Sequence, residues 1–146
     1  MSSILVVDDD ARIREFLVRW LKPIGYDMHE APDAETALGL VASSPPDVVL
    51  CDLQMPGHGG LWLVEQLRTQ FPAVAIVLAT GIDSVSPAVS LQPGVVEYLV
   101  KPFDRERVLA AVARAVAWAQ SDAARARERG NDAPLDSWLK TGRSRP

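Results

Sequence analysis

The stretch "ILVVDDDARIREFL", residues 4–17, places two different structural signals back to back. Four apolar, β-prone residues stop at three successive carboxylates, Asp8, Asp9 and Asp10. An amphipathic pattern with Ile13, Phe16, Leu17 and Trp20 on one face begins at once. Short apolar runs read as buried strands and a 3.6-residue period as helix, so the stretch predicts a strand that feeds directly into a helix. Asp10 precedes the helical pattern and is expected to be its N-cap. Asp8 and Asp9 then remain to be explained, because crowded carboxylates repel unless a cation offsets them.

The same strand-to-helix unit recurs along the chain. Apolar β-type runs fall at residues 26–31, 47–51, 73–79 and 95–100, and helical patterns at 33–43, 60–70, weakly at 87–92, and from 104 onward. Strands one, three and four are apolar almost throughout, as expected of parallel strands covered on both faces. Right-handed crossovers place helices on both sides of such a sheet. The fold class is therefore α/β, a doubly wound five-stranded parallel sheet in the flavodoxin-like order 2-1-3-4-5.

Boundary residues agree. Pro23 and Gly25 end the first helix, Pro45 and Pro46 precede strand three, and "PGHGG" at 56–60 is a loop. Asp33 and Asp104 are expected N-caps. The fourth helix, bounded by Pro87 and Pro93, is expected to be short. No breaker lies between Asp104 and Gly130, so the last helix is predicted to extend well past the domain. The domain is set at residues 1–119, with 120–146 a helical extension and flexible tail or linker whose docking groups are Leu135, Trp138 and Leu139.

Composition narrows the function. A chain of 146 residues that is 48% hydrophobic supports one core. The single cysteine, Cys51, excludes a disulfide framework and a multi-cysteine metal site, and suits a reducing compartment. No run approaches the roughly 20 apolar residues of a membrane span, and a signal-type start is lacking, so the expected location is cytoplasmic. Residues 1–119 carry nine Lys/Arg against fifteen Asp/Glu, a net of −6, whereas 120–146 carry six against four. An acidic body offers no footprint for direct nucleic-acid binding.

In open parallel sheets, ligands bind outside the carboxyl ends of the strands, where strand order reverses. Asp8, Asp9 and Asp10 follow strand one, Asp52 strand three, Thr80 strand four and Lys101 strand five. In the 2-1-3-4-5 order these strands are neighbours, so the side chains converge. Oxygen ligands without His or Cys select Mg²⁺ or a similar hard ion such as Mn²⁺. A carboxylate beside that ion can take up a phosphoryl group as an aspartyl phosphate, while a hydroxyl and an ammonium stabilise the remaining oxygens.

"ILVVDDD", "VVLCDLQMPG", "LATG" and "EYLVKPF", in this order and spacing, resemble the receiver domain of two-component response regulators over residues 3 to about 119. The resemblance implies that Asp52 is the phosphoacceptor and that Asp8 and Asp9 hold Mg²⁺, Asp8 largely through water, with the backbone carbonyl of Gln54 as a further ligand. It also implies Thr80 as the switch hydroxyl, Lys101 as the cation that pairs with the phosphoryl group, Tyr98 as an aromatic that changes rotamer, and a cis bond before Pro102. The resemblance further implies that Gln54 and Ile82 occupy positions which in that family influence the dephosphorylation rate. The implied partners are a sensor histidine kinase or phosphotransfer protein and an unidentified downstream effector, with homodimerisation left open. Such a receiver catalyses its own phosphorylation and dephosphorylation and is not a conventional enzyme.

Two other classes compete. A haloacid-dehalogenase-like phosphatase would carry Asp-x-Asp after strand one and a cap, for which these tight loops leave no room. A phosphorylation-independent scaffold on the same fold is disfavoured by the intact acidic, hydroxyl and lysine positions. His58 sits in the Gly-rich loop without a partner histidine, since His29 belongs to strand two, and is not expected to bind metal. Trp20 and Trp62 are expected to pack. Gly59 stands where the family often has an acid, and the bounds of the fourth helix weigh against the family's usual dimer face.

Overall fold

The third strand organises the molecule, because every one of its residues, Val48–Asp52, is buried. In the computed structural model, which describes residues 1–81, 95–121 and 124, five strands form one sheet. They are β1 Ser3–Val7, β2 Asp27–Ala31, β3 Val48–Asp52, β4 Ala75–Gly81 and β5 Val95–Lys101. All neighbouring pairs are parallel, in the order β2-β1-β3-β4-β5. The described helices are α1 Ala11–Leu21, α2 Ala34–Ser43, α3 Gly60–Gln70 and α4 Arg105–Ala119. The expected short helix near 87–92, Ile82, and the tail residues Leu135, Trp138 and Leu139 lie outside the described residues.

Alternation along the strands builds two cores. Leu5, Val7, Val49, Cys51, Ile76 and Leu78 face α2 and α3 through Ala37, Val41, Leu63 and Leu67. Ile4, Val6, Val48, Leu50, Val77 and Ala79 face α1 and α4 through Leu17, Leu21, Val108 and Val112. Small residues such as Ala34, Ala37, Ala111 and Ala115 let the helices approach the sheet closely. Truncating a leucine in so dense a core costs about 2–5 kcal/mol, so these layers hold the strand ends in fixed register.

Local chemistry starts the helices where the sequence predicts. Asp10 accepts from the Arg12 N–H, Asp33 from Thr36 and Asp104 from Arg107, each satisfying a donor that the first helical turn leaves open. A 3-10 turn at Lys22–Ile24 follows α1, and Gly25 at φ 114° turns the chain into β2.

Two expectations are corrected. Phe16 is 45% exposed rather than on the buried face of α1. It lies about 100° around the helix from Leu17, at the margin of the buried stripe, where its ring stacks on Trp20 and lies under the Arg19 guanidinium. The last helix is also not continuous, since α4 ends at Ala119. The Ser121 hydroxyl donates to the Trp118 carbonyl and accepts from the Ala124 N–H. A serine bonded to the local backbone in this way competes with the helical ladder, and residues 122–123 and 125–130 of the predicted extension lie outside the described residues. No helix among the described residues is long and apolar enough to cross a membrane.

Candidate functional site

Register sets the site. Asp52 is the last residue of β3 and pairs with Ala79, one residue before Thr80 on β4, while Gly81 pairs with Lys101 at the end of β5. Asp8 follows directly on Val7, which pairs with Cys51. The carboxyl ends of β1, β3, β4 and β5 therefore bring Asp8, Asp52, Thr80 and Lys101 to one edge of the sheet, as the sequence predicts.

Asp8, 3% exposed, is held at three points. Its N–H donates to the Ala31 carbonyl at 3.2 Å, its carbonyl accepts from Arg14 Nη1 at 2.6 Å, and its Oδ1 accepts from the Asp10 N–H at 2.9 Å. Asp52, 7% exposed, accepts from the Gln54 N–H at 3.2 Å through Oδ1. Lys101 Nζ stands 3.3 Å from Asp52 Oδ1 and 3.7 Å from Asp8 Oδ2. Asp9 is exposed, yet one oxygen from each of Asp8, Asp9 and Asp52 falls within 4.8 Å of the others.

Electrostatics make this cluster deficient in positive charge. Two carboxylates at such a spacing repel by about 3–4 kcal/mol at the effective dielectric of a protein site. Burial raises the Asp8 pKa above its ordinary value, the Asp52 and Asp9 charges add to that, and the Asp10 N–H and Lys101 oppose it. Arg14 is paired with Glu30, so among the described residues Lys101 is the cation facing the three acids. One lysine against three carboxylates leaves two negative charges, the amount a divalent cation supplies. The donors are all hard oxygens, and the set fits Mg²⁺ or Mn²⁺.

The remaining predicted residues are distributed as follows. Thr80 is 1% exposed, and its hydroxyl donates to the Gly81 carbonyl at 3.3 Å. Gln54 is exposed and adjoins the site through its N–H. Tyr98 is half-buried against the α2/α3 core. The Lys101–Pro102 peptide is cis. His58 lies outside the acidic group, its ring stacked on Trp62 at 4.1 Å. Cys51 is a core residue whose thiol pKa is pushed up by burial and by Asp52 and Asp8, which keeps it an inert thiol.

Two contributors have no readable sequence signal. A Cβ on Gly60 would stand 2.5 Å from the Asp52 carbonyl oxygen and 2.8 Å from Leu53 Cα. Only glycine lets α3 begin against the backbone of the acceptor. Arg14, on α1, clamps the Asp8 carbonyl while Glu30 of β2 holds its Nε at 3.1 Å. Gly60 is legible only as the junction of the 56–60 loop and the helix from 60, and Arg14 only as a polar helix position.

Known proteins are similar to this chain in sequence and in fold. The family described as the response regulator receiver domain matches residues 4–113. The response regulator MprA of Mycolicibacterium vanbaalenii is 45% identical over 108 residues, which cover 73% of this chain and 47% of that protein. The DNA-binding transcriptional regulator NtrC of Salmonella typhimurium is 38% identical over 112 residues, 76% of this chain and 24% of that protein. The crystal structure of the receiver domain of NtrX from Brucella abortus superposes with a TM-score of 0.74 at 31% identity, covering 78% of this chain and 98% of that one. The chain thus spans half or less of the length of these curated relatives. With the match running through all five strands and through the acidic edge, the chain belongs to the response regulator receiver domain family.

Proposed function

We propose that this receiver is a Mg²⁺-dependent phosphorylation switch in which Asp52 accepts a phosphoryl group from the phosphohistidine of a sensor kinase or phosphotransfer protein in the cytoplasm. The observation that carries the reading is the Asp52 carboxylate, nearly buried, 3.3 Å from Lys101 Nζ and within 4.8 Å of Asp8 and Asp9. Asp8, Asp9, Asp52 and the Gln54 carbonyl would hold Mg²⁺ or Mn²⁺. When bound, the ion neutralises the acids and the incoming phosphoryl oxygens.

In the transfer, an Asp52 oxygen forms a bond to phosphorus as the nitrogen–phosphorus bond of the donor breaks, and the departing imidazole takes up a proton. Lys101 turns from the carboxylates to a phosphoryl oxygen, as a preorganised cation at developing charge. Thr80 exchanges the long bond to the Gly81 carbonyl for one to another phosphoryl oxygen. That movement at the end of β4, together with Tyr98, biases two arrangements of the neighbouring face and so alters the binding of a downstream effector. The end of α4 at Ala119 supports a domain boundary there, with residues 120–146 as extension or linker.

The test is labelling by acetyl phosphate with Mg²⁺ present. The wild type is expected to form an acid-stable, base-labile phosphoryl adduct, and Asp52→Asn to form none while keeping its circular dichroism. Undiminished labelling of that variant would overturn the assignment.

A further inference from the structure

We propose that Arg14 is a positioning residue for the metal-binding carboxylates, and that Glu30 orients it. This inference rests on the metal-site reading above. Of the three acids, Asp9 is exposed, and no hydrogen bond or ion pair among the described residues holds its carboxylate. Its placement follows from the peptide that joins it to Asp8. The carbonyl of that peptide accepts a short 2.6 Å bond from Arg14 Nη1. The preceding N–H is tied to Ala31 of β2 at 3.2 Å.

Removal of the arginine frees the Asp8–Asp9 peptide to rotate, and rotation there swings the Asp9 side chain away from Asp52. Asp8 itself keeps its bond from the Asp10 N–H, so the effect falls on the geometry of the set more than on the fold. The guanidinium is suited to this task because its donors fan out within one plane. Nη1 reaches the β1 loop while Nε, 3.1 Å from Glu30 Oε1, reaches β2. Its side chain is 17% exposed, which limits the alternative rotamers it can sample. Arg14 therefore links the loop that carries two ligands to the adjacent strand, and Glu30 keeps the fork aimed. Partners that hold a ligand in place typically matter by about 10–100-fold in metal affinity.

The experiment measures Mn²⁺ affinity of the full chain by electron paramagnetic resonance, alongside the acetyl phosphate labelling rate as a function of Mg²⁺. Arg14→Ala and Arg14→Gln are expected to weaken Mn²⁺ binding about tenfold, with labelling recovered at saturating Mg²⁺. Arg14→Lys, which restores one donor to the Asp8 carbonyl, is expected to return most of the affinity, and Glu30→Gln to weaken it less than Arg14→Ala does. Arg14→Gln keeps two of the three stem methylenes and a good helix former, so it carries the test if the alanine variant does not fold. Wild-type affinity in a folded Arg14→Gln or Arg14→Ala protein overturns the role of Arg14. A wild-type chain that binds no Mn²⁺ overturns the metal-site reading itself, and with it this inference.

Discussion

Strand β3 is flanked by two carboxylates, Asp47 just before it and Asp52 at its end, and they live in opposite circumstances. Asp47 lies at the amino edge of the sheet, where its Oδ2 accepts the Ser3 N–H at 2.8 Å, its own N–H donates to the Ser3 carbonyl at 3.0 Å, and its carbonyl accepts from Ala75. A neutral backbone donor, the Ser3 N–H, stabilises its charge, and no other acid joins it there in an ion-ligating group among the described residues. Asp52 has one 3.2 Å backbone donor and shares a single lysine with Asp8. The comparison teaches that a carboxylate standing apart from other acids and bonded to a backbone N–H is architecture, whereas carboxylates in excess of the available cations form a site awaiting charge.

The comparison is broken most severely by removing Lys101, the cation that among the described residues pairs with Asp8 and Asp52. Lys101→Met leaves Asp8 and Asp52 buried without it, and the phosphoryl oxygens lose a preorganised donor. Losing one such donor costs about 100-fold in rate, equivalent to about 2.7 kcal/mol of barrier. Acetyl phosphate labelling at saturating Mg²⁺ is expected to slow by that factor. A rate within threefold of wild type would mean that Lys101 is a bystander at a strand end.

Added charge should have the reverse effect. Mg²⁺ at 100 times its dissociation constant is expected to stabilise the fold by about 2.7 kcal/mol, read as a rise in the urea midpoint. The sign of the pH dependence follows from Asp8. Its folded pKa is raised, mainly by burial and then by Asp52 and Asp9. In the metal-free chain its contribution to stability is thus fully present below the ordinary aspartate value, about 3.9, and is lost as pH rises through the higher folded value. Mg²⁺ competes with that proton. The stabilising increment should therefore be largest near neutrality and shrink as pH falls through this window. An increment that is independent of pH, or that survives in Asp8→Asn, would separate the ion from these acids.

Sequence and structure agree on whatever depends on pattern, and part company where neighbours across the fold decide. Apolar runs in β1, β3 and β4 announced buried parallel strands, and residues following the strands announced Asp8, Asp52, Thr80 and Lys101. Period alone placed Phe16 on the buried face, although a residue at the margin of a stripe is covered only if a neighbouring element reaches it. Ser121 is a helix-breaking signal that was present but outweighed by the surrounding alanines. Arg14 and Gly60 act through contacts to residues 8 and 52, which no periodicity encodes.

Gly60 offers a smaller perturbation of the acceptor end. A methyl group at this position meets two backbone atoms, at 2.5 and 2.8 Å, with no flexible side chain to yield. Gly60→Ala must shift the start of α3 or the backbone at Asp52, and overpacking of this kind costs about 1–3 kcal/mol. Because the atom met at 2.5 Å is the carbonyl oxygen of the acceptor residue, labelling should slow as well. A loss of stability with an unchanged labelling rate would show that α3 alone moves.

The smallest effect is expected at the other end of the strand, and it serves as the control. Asp47→Ala removes the acceptor of the Ser3 N–H. Hydrogen bonds to a charged partner contribute about 1.5–3 kcal/mol, and half-burial together with competing water places this one near the lower bound. Asp47→Asn keeps an acceptor oxygen and should lose less. Both variants should label at the wild-type rate and bind Mn²⁺ with wild-type affinity, because the length of β3 separates them from the acidic edge and the two cores on either side keep the strand in register. A labelling defect in either would show that slack at the amino end of β3 reaches Asp52, and that the strand does not insulate one carboxylate from the other.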